Sequence, residues 1–441
     1  MNSSVAIQQV NRLIFFAALY TGSAALLKLA GFIFFLWLAR TLSVEDYANW
    51  GLLYAVQTAL TSFGLVGIIE AVVGLLRNHR SPDEQKRLLA AGNTAFLVTL
   101  AASVALALVV WVMFAGHSQI SGLTLSSVLG AGALLAYSSL QAQLVRLEER
   151  HFASLCFSFF LPAAGFLGSF AAFFFERTVE SFFWGACAGL TTSMVGTWLC
   201  RMGFHGRSRM ADARPILLRV TPFITVAFLG WLSGYGNNFV IKLFFDSSEI
   251  ARFTFAMAVS SVMQLVASAL NQVWSPRFYR ITQEMPFEHV EQKNHDFFRL
   301  QGIVLGATGG AVIALYPSLI KLVGGNLAYY QSMDVELLLL FSAYLILSPW
   351  WHCHNYFLAY DKGSIVMKIV LMTSIVGVVL WLILMWALGP IGIYVGFFTQ
   401  MLTRSVGILL VARTYWPVRT SWDGVLSGVV IMFIGFAASR V

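Results

Sequence analysis

Two cations in this chain stand where a charge is expensive. Lys28 is the only charged residue between Arg12 and Arg40, and Arg404 is the only one between Lys368 and Arg413. Each therefore falls mid-way along an apolar run, and a charge inside hydrocarbon marks a wet path, an ion pair or a bound ligand. Ammonium and guanidinium groups replace the water around phosphate oxygens, so a pair of such cations suits a diphosphate. Lys242 lies about one helical turn inside the external end of the seventh run, and Glu70 about two turns inside the cytoplasmic end of the second. Lys242 is within snorkelling reach of the interface. Glu70 has Arg77 nearby as a local partner, and it is the one embedded carboxylate placed to serve a coupling ion.

Uncharged polar residues add a second set. Asn237 and Asn238 follow Gly234 and Gly236 in the seventh run, and Gln264, Asn271 and Gln272 follow in the eighth. Amides at such depths either line a wet path or tie helices together by hydrogen bonds. In Trp350-Trp-His-Cys-His354 the histidines are two residues apart, so on a helix they diverge by roughly 200° and cannot share a metal ion. The tryptophans there read as anchors in an interfacial aromatic belt. Cys156, Cys187, Cys200 and Cys353 lack ligand spacing and read as small buried hydrophobes. No metal and no cofactor are expected.

The elements that hold these residues follow from composition. Hydrophobic residues are 58% of the chain and charged residues 11%. The apolar runs are approximately 12–39, 48–76, 88–115, 120–145, 152–175, 180–200, 216–245, 250–275, 297–323, 335–360, 364–388 and 391–412. Each has the length of a transmembrane helix, which takes roughly 20 residues. The expectation is an all-α polytopic membrane protein of about 12 transmembrane helices. A short thirteenth run, 425–439, is too brief for a full span, so stopping the chain at Trp422 is expected to leave a folded, active protein.

Little of the chain lies outside these runs. The longest polar gap, Pro276 to Asp296, is too short for a catalytic domain, and no phosphate-cradling Gly-rich loop is present. The net charge of +8 reflects orientation rather than nucleic acid binding. With a cytoplasmic N-terminus, the internal connections hold Arg77, Arg80, Lys86 and Arg87, then Arg146 and Arg150, then Arg201, Arg207, Arg209, Arg214 and Arg219. Further along they hold Arg277, Arg280, Lys293, Arg299, Lys362, Lys368, Arg413 and Arg419. The external connections hold mainly Arg40, Arg177, Arg252 and Lys321, a strong positive-inside bias.

A weak internal repeat divides the chain. Arg40-Thr-Leu-Ser-Val-Glu-Asp-Tyr-Ala-Asn-Trp, before the second run, matches Phe244-Phe-Asp-Ser-Ser-Glu-Ile-Ala-Arg-Phe-Thr, before the eighth. Met202 to Asp212 forms an Arg-rich linker between the halves. The division expected is an N-terminal six-helix lobe over 1–205, a C-terminal six-helix lobe over 206–415 and an apolar tail over 416–441, with a central cavity between the lobes.

Leu26-Leu-Lys-Leu-Ala-Gly-Phe, then Leu38-Ala-Arg-Thr-Leu-Ser-Val-Glu-Asp-Tyr, then Phe63-Gly-Leu resembles the opening of polysaccharide-type flippases of the multidrug/oligosaccharidyl-lipid/polysaccharide exporter superfamily. The resemblance implies a two-lobed transporter that moves undecaprenyl-diphosphate-linked oligosaccharides across the bacterial inner membrane, for lipopolysaccharide or exopolysaccharide synthesis. It implies a lipid-linked substrate, membrane lipids and polysaccharide polymerase or assembly proteins as partners. Two positions depart from the family pattern. Ala48 stands where Gly is usual, and Asn237-Asn238 replaces a frequent Asp-Arg pair, so an ion-coupling role there does not carry over.

The leading expectation is alternating access without enzymatic chemistry, with Lys28, Arg404, Asn237, Asn238 and Lys242 facing substrate and Glu70 serving coupling. The alternatives are a multidrug or cation antiporter of the same superfamily, which wants more embedded carboxylates, and a membrane-embedded polysaccharide polymerase or ligase. The latter wants a sizeable external loop, whereas Gly324 to Asp334 is short. Topology is testable directly. Single cysteines at Ser81, Ser208 and Gln292 are expected to be shielded from an impermeant thiol reagent in whole cells, and those at Ser118 and Gln331 to label. External labelling at Ser208 would overturn the six-plus-six division.

Overall fold

The computed structural model describes residues 22–23, 25–65, 67–76, 81–115, 121–200, 202, 206, 208–360 and 362–440. Arg77, Arg80, Arg201, Arg207, Ser118 and the start of the first apolar run lie outside the described residues. Every regular element among the described residues is helical. Hydrocarbon offers a peptide group no partner, so a spanning chain must close its hydrogen bonds internally.

The first run is helical over 25–41 (α1). Then come α2 (Val44–Leu65), α3 (Ile68–Leu76), α4 (Pro82–Ala115), α5 (Gly122–Leu147), α6 (His151–Glu176), α7 (Val179–Leu199) and α8 (Met210–Leu232). The remainder is α9 (Asn237–Phe244), α10 (Ser247–Glu284), α11 (Phe287–Val323), α12 (Asp334–Ile346), α13 (Ser348–Ala359), α14 (Gly363–Leu388), α15 (Ile391–Tyr415) and α16 (Trp422–Ala438). Among the described residues, nine helices or continuous helix pairs are long and apolar enough to cross a membrane, and ten if α8, bent by 54°, counts as one span. The 21-residue α7 follows the sixth apolar run. The architecture is an all-helical membrane bundle consistent with the expected twelve spans.

The polar gap expected between Pro276 and Asp296 is almost entirely helix. The 38-residue α10 carries Pro276 inside it and ends at Glu284, and the 37-residue α11 begins at Phe287. Charged side chains end the hydrophobic run but form helix as readily as apolar ones, so hydropathy marked a membrane edge and not a helix end.

The chain forms two compact units. The first comprises Met1–Phe34 and Asn49–Trp231, the second Phe35–Ala48 and Leu232–Val441. In the first unit the span α2–α3 breaks at Gly67, whose φ of +61° suits glycine and where a Cβ would meet Phe223 at 2.8 Å. Thr99 donates to the carbonyl of Gly64 beside the break at 2.8 Å. A π-helical turn, Cys156–Phe160, interrupts α6, and Ser138 donates to the Phe157 carbonyl there at 2.5 Å. Beyond it α6 and α7 pack backbone to backbone, because a Cβ on Gly168 would strike the carbonyl of Gly185. The linker ahead of α8 docks on α4, where the Ser208 amide donates to Thr94 at 2.9 Å and Arg87 meets Asp212 at 2.6 Å.

In the second unit α14 pairs with α15, and α11 pairs with α16. The C-terminal run is not a loose tail. A Cβ on Gly302 would lie 2.6 Å from the Gly424 carbonyl, and one on Gly306 would strike the Gly428 backbone. Such contact gives helices dispersion energy that a larger residue would forfeit. Arg299 and Asp423 meet at 2.9 Å at one end of the pair. Overpacking costs about 1–3 kcal/mol, so Gly306→Leu and Gly428→Leu are expected to lower the melting temperature in detergent. Gly196→Leu, where a Cβ meets nothing within 4 Å, is expected to leave it unchanged. A chain stopped before Trp422 is expected to accumulate poorly in the membrane, and normal accumulation would show that α16 is dispensable.

Candidate functional site

Arg404 is the cation with the most unusual surroundings. It sits half-buried on α15, and its Nη2 donates to the Ser374 hydroxyl of α14 at 3.1 Å. Its guanidinium carbon lies 5.7 Å from the ring centroid of Trp350 on α13. The Nε proton is buried without a partner among the described residues. A guanidinium has five N–H donors, so this one is oriented by a hydroxyl and an aromatic face while donors remain for an anion. Trp350 is half-buried within the second unit, with its ring against the Arg404 guanidinium.

The segment carrying Asn237 and Asn238 is tied to the same helix. α8 ends at Leu232, residues 233–236 form tight turns, and α9 starts at Asn237. The amides of Asn237, Asn238 and Phe239 reach back three residues to Gly234, Tyr235 and Gly236, which closes the backbone bonds that the break would open. Gln400, one turn before Arg404, donates to the Ser233 hydroxyl at 2.5 Å. The Asn237 amide nitrogen faces the Ser233 carbonyl at 3.5 Å, and that of Asn238 donates to Thr254 of α10 at 3.1 Å. Both asparagines are buried, so their nitrogens bind the protein itself.

Lys242, one turn beyond Asn238, is half-buried in the last turn of α9, where a cation complements the helix dipole. Asn237, Asn238, Lys242 and Arg404 belong to one unit, in which Ser233 joins Asn237 to Gln400 on the helix that carries Arg404. Lys28 and Glu70 belong to the other. Lys28 is exposed on α1, turned roughly 160° from Leu26 and 100° from Leu29 at about 100° per residue, so it stands off the exposed Leu26–Leu29–Ile33 stripe. Glu70 is exposed in the first turn of α3, the favourable end of the dipole for an anion. Its suggested partner Arg77 lies outside the described residues.

A larger polar network in the second unit escaped the sequence reading. Glu291, Asn294 and Gln301 of α11 are all buried. Glu291 accepts from the Tyr356 hydroxyl and from the Arg419 amide, the latter at 2.5 Å. Asn355 of α13 donates to Asn271 of α10 at 3.2 Å and accepts from Ser275 at 3.0 Å. Asn271 is thus a tie between helices, whereas Gln264 and Gln272 are exposed. The signal was present as polar residues recurring on one helical face at 291, 294 and 301, but that stretch began inside the supposed loop.

The helical topology is shared with known transporters. The chain is similar in structure to a lipid II flippase MurJ in an inward closed conformation, at 14% identity and a TM-score of 0.68, with 95% of this chain and 97% of that one covered. It is also similar to an inward-facing multidrug resistance MATE family transporter of the MOP superfamily, at 13% identity and a TM-score of 0.63, over 88% and 94% of the two chains. A eukaryotic MATE transporter matches at 11% identity and a TM-score of 0.56, over 97% and 99%. A comparison with curated protein sequences gives no match. The fold is that of a multi-pass membrane transporter. Residues 17–282 match the polysaccharide biosynthesis protein family, and the chain belongs to that family.

The hydrogen bonds of Asn238 and Gln400 make these amides ties within the second unit. Leaving a buried partner unsatisfied costs about 1–3 kcal/mol. Gln400→Leu and Asn238→Leu are expected to lower the melting temperature of purified protein, whereas Lys242→Gln should leave it nearly unchanged. An equal loss for Lys242→Gln would make that lysine a structural residue.

Proposed function

We propose that this protein is a flippase that carries undecaprenyl-diphosphate-linked oligosaccharide repeat units across the bacterial inner membrane by alternating access. The observation that carries the reading is Arg404, a mid-run guanidinium set by neutral partners with its Nε–H unused. Membership of a polysaccharide biosynthesis family and likeness to a lipid II flippase support a lipid-linked saccharide as cargo. On this reading Arg404 and Lys28 receive the diphosphate, while the sugars travel through water. Lys242 adds a third cation, and Asn237 and Asn238 shape the segment that holds it. The N-terminus is cytoplasmic, and a polysaccharide polymerase with its assembly proteins receives the product. No covalent step is assigned to any residue. Glu70 remains the carboxylate proposed for ion coupling, and its single charge weighs against a multidrug or cation antiporter.

Charge reversal tests the reading. At about 4 Å and an effective dielectric near 20, a unit charge pair is worth about 4 kcal/mol, so replacing attraction by repulsion should prevent diphosphate binding. Lys28→Glu and Arg404→Glu are expected to abolish polysaccharide export and leave lipid-linked repeat units on the cytoplasmic side, with normal protein abundance in the membrane. Lys28→Arg keeps the charge with altered geometry and should retain part of the export. If both reversals accumulate normally and export proceeds at the wild-type rate, the diphosphate is not held by these cations.

A further inference from the structure

The two histidines of Trp350-Trp-His-Cys-His354 have separate environments. His354 stacks on Trp350 with ring centroids 5.7 Å apart. His352, 4% exposed, points to α11, where its Nδ1 lies 3.0 Å from Asn294 Oδ1 and its Nε2 lies 2.8 Å from Gln301 Oε1. Phe298 closes the site edge-on at 4.6 Å between ring centroids.

Hydrogen-bond accounting fixes part of this arrangement. The Trp274 indole, which can only donate, reaches the same Asn294 oxygen at 3.0 Å. Asn294 cannot be turned over without setting its NH2 against the indole N–H, so its oxygen must face His352. Nδ1 therefore carries a proton in every charge state. In a neutral imidazole Nε2 is then a lone pair, and a lone pair cannot sit 2.8 Å from a carbonyl oxygen without repulsion. The Gln301 amide nitrogen, meanwhile, is buried without a partner among the described residues.

Two arrangements resolve the conflict. In one, the Gln301 amide turns over and donates to the Nε2 lone pair of a neutral His352. In the other, Nε2 takes a proton and donates to Gln301 Oε1 across the observed 2.8 Å, giving an imidazolium held by two amide oxygens. We propose that His352, Asn294 and Gln301 form a proton-binding site in the second unit, in which a proton taken up at Nε2 is registered by reversal of the Gln301 amide. The step breaks one O–H bond of a hydronium ion, forms the Nε2–H bond and leaves a water molecule, while the Gln301 N–H···Nε2 hydrogen bond is exchanged for Nε2–H···Oε1.

Among the described residues, the surrounding charges do not pair with His352. On α11 the Glu291 carboxylate is turned to Tyr356 and the Arg419 amide. Arg404 of α15 is turned to Ser374 and Trp350, and Arg413 on the same helix to Thr420. From α10 the Tyr279 hydroxyl faces Asn355 at 3.5 Å, and from α12 comes the buried Tyr344. On α14 Lys368 is exposed, and on α13 itself Cys353 and Tyr356 are buried neutral groups. The amide pair is thus the means by which the site accepts charge. The opposite face of α13 seats Trp350 against Arg404, so a proton here acts on the helix that orients the proposed substrate cation. That last link rests on the proposed function, whereas proton binding does not.

The test is nitrogen NMR of full-length protein labelled with 15N-histidine in lipid nanodiscs, with His352 assigned by difference from His352→Gln. The expected spectrum at high pH is a neutral imidazole protonated at Nδ1, converting to imidazolium within the pH range over which the protein keeps its native melting transition. Gln301→Leu removes the charge-assisted acceptor and should lower proton affinity at least tenfold, and Gln301→Glu should raise it by as much. A neutral form protonated at Nε2, no conversion across the folded range, or an unchanged midpoint in folded Gln301→Glu would each overturn the proposal. If neither Gln301 variant folds, the wild-type titration alone decides.

Discussion

A peptide group in hydrocarbon has nothing to bond with except its own chain, and the rest of this structure follows from that constraint. It dictates helices throughout, and it also dictates how helices may be interrupted. At each interruption a polar side chain or a tight turn supplies what the regular ladder lost. Thr99 donates to the Gly64 carbonyl where α2 gives way to α3, and Ser138 to the Phe157 carbonyl at the π turn of α6. Between α8 and α9 three-residue turns close the backbone, and Gln400 secures Ser233 from α15. Irregular backbone is retained where a neighbouring helix compensates it, and the candidate site is built around one such place.

Burial of apolar side chains does little to bring helices together when lipid tails are equally apolar. Close backbone contact and hydrogen bonds between helices take over. Gly168 with Gly185, and Gly306 with Gly428, let two helices approach to a distance that any Cβ would prevent. The Asn355–Asn271 and Glu291–Tyr356 contacts add direction to that adhesion. The glycine pairs set which helices touch, and the polar pairs set how they are aligned.

The cations divide by what opposes them. Arg252 is held by Glu249 and Glu336, Arg87 by Asp212 and Arg440 by Asp334. Such pairs neutralise a charge and fix loops or helix ends. Arg404 has a serine hydroxyl and an indole face instead, which orient a guanidinium without cancelling its charge. A desolvated cation with no counter-charge among the described residues is costly to keep, and the proposed function assigns that cost to an anionic ligand present only part of the time.

Length, composition and charge pattern were sufficient for the fold class and the span order, because the bilayer imposes one length and one polarity on every span. They were also sufficient to single out Lys28 and Arg404, since an isolated charge in an apolar run is visible without coordinates. Hydropathy misplaced the ends of α10 and α11, because helices continue past the membrane edge and the residues that leave hydrocarbon still form helix. It also undervalued residues 422–438, whose glycines look unremarkable until they meet those of α11. The roles of Asn237, Asn238 and His352 depended on which atoms lie opposite them, more than ten residues away in the chain for Asn238 and fifty for His352. A polar residue's type and depth are written in the sequence, but whether it binds helix or ligand is decided by its hydrogen-bond partner, and only tertiary packing supplies that partner.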